Sequence, residues 1–211
     1  MKSSKQINCR AILLFSLTLI LYCCASFKTA YDESGINTLT RQIVFNRVSF
    51  RTSGDNKISY ANRYHGGIFI SAGSKCTIKD ITKKSIKFTV LGKEYELVNW
   101  LMKTSNLSSK DVRLSFNKFF VKNKNEVGLD KINRDFLDNI ISGISEVGMN
   151  KKEILLSLGY PGYLGRKNPT VDDDRDFILL QNDWYYLRGR WAKALLKFRA
   201  GKLYLIIDWA R

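Results

Sequence analysis

Histidine is nearly missing from this chain: of 211 residues only His65 carries an imidazole, and it stands beside Gly66-Gly67. One histidine without nearby ligand partners excludes the usual His-based zinc sites and nucleophile–histidine triads, so His65 is read as a turn residue. The G-x-S-x-G, H-E-x-x-H and P-loop patterns are also lacking. No catalytic residue, metal ligand or cofactor is therefore assigned, and the expectation is a protein that binds rather than turns over a substrate. Asp172-Asp173-Asp174 lacks the central Gly and terminal Glu of a calcium loop and reads as a solvated loop. Proline occurs only twice and no Ser/Gly tract is present, which argues against a long flexible linker.

A hydrophobic run long enough to span a bilayer is lacking as well. The apolar run Ala11 to Tyr22 is twelve residues, too short for a hydrocarbon core of about 30 Å. It follows a basic start carrying Lys2, Lys5 and Arg10, and the pair reads as a secretory signal. The run ends in Leu21-Tyr22-Cys23-Cys24-Ala25-Ser26, which resembles the leucine-x-small-cysteine box of bacterial lipoproteins, with cleavage between Cys23 and Cys24 and lipidation of Cys24. Ordinary cleavage after Ala25 is the alternative. Of the four cysteines, Cys9 and Cys23 leave with the signal, Cys24 is acylated, and Cys76 remains as a small buried hydrophobe without disulfide or zinc spacing.

What is abundant is positive charge. The formal net charge is +16, and about +13 remains without the three signal-region cations, a field that favours anionic partners. An exported protein seldom meets nucleic acid, so the partners expected are a membrane, through the lipid anchor, and an outer-membrane or other envelope protein; oligomeric state is unassigned. Hydrophobic residues at 45% and charged residues at 26% are globular proportions.

The chain divides into a signal (1–23), a tether (24–38), a small all-β domain (39–104), a helical connector (105–128) and an α+β domain (129–211). In the all-β part, Ile86, Phe88 and Val90 alternate with Lys87 and Thr89, Gly92 marks a turn, and Tyr95 and Leu97 alternate with Glu94 and Glu96. The stretch Gly67 to Lys75 is similar to corners of bacterial SH3-like barrels, which implies a small barrel. Ser108 opens a helix with Val112, Phe116, Phe119 and Phe120 on one face. A second helix is expected over Leu129 to Ile144. A third follows Asn150, with Glu153 placed for a capping box and Gly159-Tyr160-Pro161 as its stop. Three strands close the chain, near 183–188, 193–199 and 202–208, the last with Leu203, Leu205 and Ile207 in phase.

The order Gly148-Met149-Asn150-Lys151-Lys152-Glu153-Ile154 … Leu158-Gly159-Tyr160-Pro161, then Trp184-Tyr185-Tyr186, then Leu195-Leu196-Lys197-Phe198-Arg199-Ala200-Gly201-Lys202-Leu203, resembles the BamE (SmpA/OmlA) domain over 145–208. The resemblance implies two helices on a three-stranded antiparallel sheet, a fold of outer-membrane assembly lipoproteins that also occurs in β-lactamase inhibitory proteins. The functional expectation is a membrane-anchored, non-enzymatic adaptor in outer-membrane protein assembly or envelope maintenance. The alternative is a soluble-domain binder or inhibitor of another exported protein. The binding residues are expected among the basic and aromatic side chains Tyr185, Arg188, Arg190, Trp191, Lys193, Lys197 and Arg199, with Trp209 a further aromatic anchor.

Overall fold

A computed structural model describes residues 40–52, 55–59, 64, 66–82, 84–98, 108–164, 175–187 and 193–208. The signal, the tether, His65 and the acidic run at 172–174 lie outside the described residues.

The N-terminal strands are β1 (Ile43–Asn46), β2 (Phe50–Arg51), β3 (Lys57–Ser59), β4 (Phe69–Ile70), β5 (Lys75–Ile81), β6 (Ser85–Val90) and β7 (Lys93–Val98). Period-2 burial is clear in the hairpin β6–β7: Ile86, Phe88, Tyr95 and Leu97 are buried, while Lys87 and Glu94 are exposed. Leu91 and Gly92, both at positive φ, form its two-residue turn. Helix α1 (Ser109–Phe119) starts on a Ser108–Asp111 capping box and buries Val112, Phe116 and Phe119. It runs directly into β8 (Phe120–Val121).

The expected SH3-like barrel does not form. Strands β3-β7-β6-β5-β1-β8 make one six-stranded mixed sheet with edges at β3 and β8. One edge closes by a parallel pairing of β3 with β7, the other by pairing of β1 with β8, which comes from the supposed connector. A separate ribbon joins β2 and β4.

The expected two-helix, three-strand arrangement does not form either. The stretch 129–144 is not one helix but two 3-10 turns, Leu129–Lys131 and Arg134–Phe136, followed by the short α2 (Leu137–Ser142). The break has a local cause. Ile132 is extended, and Asn133 accepts from the Asp135 amide through its side chain while its own amide is held by Glu153 at 2.9 Å. Ile140 is buried, whereas Leu137, Ile141 and Ile144 stay exposed.

Helix α3 (Lys151–Leu158) is as expected: Asn150 accepts from the Lys152 and Glu153 amides, Glu153 reaches back to the Asn150 amide, and Gly159 ends it. Ile154, Leu155, Leu156 and Leu158 are all buried, so α3 is wrapped by the fold rather than lying on it. Two further elements had no expectation, β9 (Tyr163–Leu164) and α4 (Arg175–Leu180). Strands β10 (Asp183–Leu187), β11 (Lys193–Arg199) and β12 (Lys202–Asp208) then complete a four-stranded antiparallel sheet, ordered β12-β11-β10-β9.

One hydrophobic cluster runs through both sheets, from Val44 and Phe88 to Trp184 and Leu203. Polar ties cross it. The Ser49 hydroxyl donates to the Leu156 carbonyl, Tyr160 donates to the Lys118 carbonyl at 3.1 Å, and the Tyr64 amide donates to the Leu187 carbonyl at 2.7 Å. Cys76 is a free thiol, fully buried in β5.

Candidate binding surface

The four-stranded sheet has two unlike faces. Its inner face carries Trp184, Tyr186, Ala194, Leu196, Phe198 and Leu203 into the core. Trp184 packs at a tilt of 56° against Phe198 with centroids 4.7 Å apart and donates its indole N–H to the Gln181 carbonyl at 3.0 Å. Tyr186 donates to the Gly159 carbonyl at 2.9 Å, and burial pushes its phenol well above the ordinary value. These partners let two amphipathic aromatics sit dry without an unsatisfied polar group.

The outer face is set by register. Tyr185 lies opposite both Tyr163 and Leu195, Asp183 opposite Lys197, Leu195 opposite Ile207, and Lys197 opposite Leu205. A register shift between Lys197 and Phe198 makes Tyr204 an extra residue on β12. The expected in-phase run is thereby broken: Leu203 turns to the core, and Tyr204 and Leu205 are 41% and 39% exposed. The Arg199 guanidinium lies 4.8 Å over the Tyr204 ring, a cation–π contact at the sheet margin, with Lys202 opposite Arg199.

Leu195 decides how this face is read. It is only 5% exposed, yet it is not part of the main core cluster. Its strand therefore has apolar side chains on both faces. The outer face is an apolar centre of Leu195, Leu205 and Ile207, flanked by Tyr163, Tyr185 and Tyr204 and by Lys197, Arg199 and Lys202.

The structure brings three of the expected binding residues together there: Tyr185, Lys197 and Arg199. Lys193 pairs with Leu187 where β11 begins. Arg188, Arg190, Trp191 and Trp209 lie outside the described residues, as do Cys23 and Cys24. Leu195, Tyr204 and Leu205 were missed. The consecutive pair Leu195-Leu196 was a usable signal, because apolar residues at both parities imply a strand covered on both faces.

Among the described residues no group of three or more His, Cys, Asp or Glu could hold a metal ion, and no helix is long and apolar enough to cross a membrane. The chain matches no protein family, no curated protein and no solved structure.

Proposed function

We propose that this chain is an exported, lipid-anchored binding protein of the cell envelope, and that the outer face of its C-terminal sheet holds an acidic, apolar-centred surface of an envelope protein. The reading joins two supports. One is the basic start, short apolar run and Cys24 box of the first two dozen residues. The other, which carries it, is the pairing of exposed Tyr204 and Leu205 with Lys197, Arg199 and Lys202 on one sheet face. Aromatic and aliphatic side chains rimmed by cations supply desolvation at the centre and steering at the edge. With the two-helix, three-strand arrangement set aside, no assembly role is carried over from the family resemblance.

Two measurements test it. Radiolabelled palmitate should enter the wild-type chain and not Cys24→Ala. A photo-crosslinker at position 205 should capture a discrete envelope protein in cells, and Lys197→Glu with Arg199→Glu should abolish that product while Lys87→Glu on the first sheet leaves it intact. A wild-type chain recovered from the cytosol with Met1 still in place would overturn the reading. Capture that survives Cys24→Ala at full yield would instead favour a soluble inhibitor of an exported protein.

A further inference from the structure

A second charged feature lies apart from the sheet face. A cleft of roughly 300 Å³ opens between the 3-10 turn Lys124–Val127, the start of α3 and the first residue of α4. Lys131, Lys152 and Arg175 line it, with Glu126 and Glu153 as its two carboxylates. Those carboxylates are already engaged. Glu153 accepts from the Asn133 amide at 2.9 Å and the Asn150 amide at 2.7 Å, one on each oxygen. Glu126 accepts from the amide and the side chain of Asn123 at 3.1 and 2.9 Å.

The arginines are not so served. Arg47 lies within electrostatic range of Arg175 and Glu126, and both arginines are within range of the buried Tyr160 phenol. The Nε atoms of Arg47 and Arg175 are both buried without a hydrogen-bond partner. A buried, unmade hydrogen bond on a charged group is costly, and a like charge beside it adds to the cost. Burial above all, and then the Arg175 guanidinium, hold Arg47 below the ordinary arginine value. Asn150, at the lip of the cleft, commits its side-chain oxygen to the α3 amides.

We propose that this cleft binds a phosphate group, either as a small soluble phosphate or as the phosphomonoester headgroup of a lipid. Three cations line the cleft, with Arg47 behind Arg175, against two carboxylates, of which Glu153 has both oxygens occupied and Glu126 one. A dianion with several acceptor oxygens can meet the Arg175 guanidinium and both lysines at once, whereas a single carboxylate has too few oxygens for all three. The cleft is small, which suits a phosphate on a short stem. The assignment uses none of the residues of the sheet face and stands or falls separately from it.

The test uses the full-length chain in detergent micelles, titrated calorimetrically with inorganic phosphate, glycerol 3-phosphate, and phosphatidylcholine vesicles containing phosphatidic acid. Saturable phosphate binding is expected, weakened about tenfold in Arg175→Gln and unchanged in Lys87→Gln. Should Arg175→Gln fail to fold, Lys152→Ala at its exposed position carries the test, with a weakening of about threefold. Vesicle binding that inorganic phosphate competes away identifies the lipid headgroup as the source. Binding of the two soluble phosphates without vesicle binding identifies a free phosphomonoester. Absence of saturable phosphate binding, equal binding by wild type, Arg175→Gln and Lys152→Ala, or vesicle binding that phosphate leaves untouched would each overturn the proposal.

Discussion

Glu153 is the most exposed to experiment of the internal contacts, because its cost can be worked from two bonds. The side chain is 3% exposed, and each carboxylate oxygen holds one backbone amide, that of Asn150 at the start of α3 and that of Asn133 in the turn before α2. Glu153→Ala leaves both amides without a partner. At about 1.5–3 kcal/mol for a hydrogen bond to a charged group, the loss is about 3–6 kcal/mol. Water entering from the adjoining cleft can reach the freed amides, which places the expectation near the lower end, about 3 kcal/mol. For a chain of this length that lowers Tm by roughly 6–12 °C. Glu153→Gln keeps one acceptor oxygen and should cost about half as much, and Asn150→Ala should cost about 1–2 kcal/mol for the lost cap. Urea unfolding followed by tryptophan fluorescence, with Trp184 in the core as reporter, measures all three. A change under about 0.5 kcal/mol for Glu153→Ala would refute the cap. A Glu153→Gln variant as stable as wild type would mean that one of the two amide bonds contributes nothing.

Three further outcomes are expected. Leu91 is fully exposed at φ 49 in the β6–β7 turn, so Leu91→Asn should raise stability by about 0.5–1 kcal/mol in the same urea assay, since asparagine tolerates the left-handed region. Gly143 sits at φ 71, and a Cβ there would lie 2.5 Å from the Phe69 ring and 2.6 Å from the Arg51 guanidinium, which donates to the Gly143 carbonyl; Gly143→Ala should cost about 2–4 kcal/mol and be read as a lower Tm. Burial pushes the Cys76 thiol from 9.0 to about 12 and the Tyr160 phenol from 10.0 to about 12. Both are acids whose folded value is raised, so the unfolded chain loses these protons first: their contribution is complete below pH 9 and is lost as pH rises from 9 to 12. Stability against pH should therefore bend downward from about pH 9, and Cys76→Ala should move the start of the bend to about pH 10. A thiol reagent at pH 8 should react with Cys76 only after denaturant is added.

What could be read in the sequence was local. The β6–β7 hairpin, the Ser108 and Asn150 caps, the α3 stop at Gly159 and the inward parity of Trp184, Tyr186, Leu196 and Phe198 all follow from side chains within a few residues of one another. The failures share a different origin. The parallel pairing of β3 with β7, and the recruitment of β8 onto β1, join segments far apart in the chain, and no local pattern announces them. The stretch 129–144 has helical periodicity, but Asn133 takes a turn conformation because Glu153, twenty residues on, holds its amide. The phase of β12 was lost at one extra residue, Tyr204, which a strict alternation rule assigns to the wrong face. The charged cleft was invisible for the same reason as the sheet pairings: Arg47, Arg175 and the α3 N-terminus meet only after folding.

The two candidate surfaces are built from the same excess of positive charge but would use it differently. On the sheet, Lys197, Arg199 and Lys202 are at least partly exposed, where water and salt screen each cation, and their effect is on encounter and orientation. The exposed apolar area of Tyr204 and Leu205 must then supply the affinity, since area removed from water is the term that screening does not touch. In the cleft the order is reversed. There Arg175 lines the cleft with its Nε already withdrawn from water, and an anion meeting a partly desolvated guanidinium gains more than one meeting a fully hydrated cation. Raising ionic strength should accordingly slow association at the sheet while leaving its residence time largely intact, because the contacts that hold it are apolar. At the cleft, where charge is the binding interaction itself, salt acts on the affinity directly.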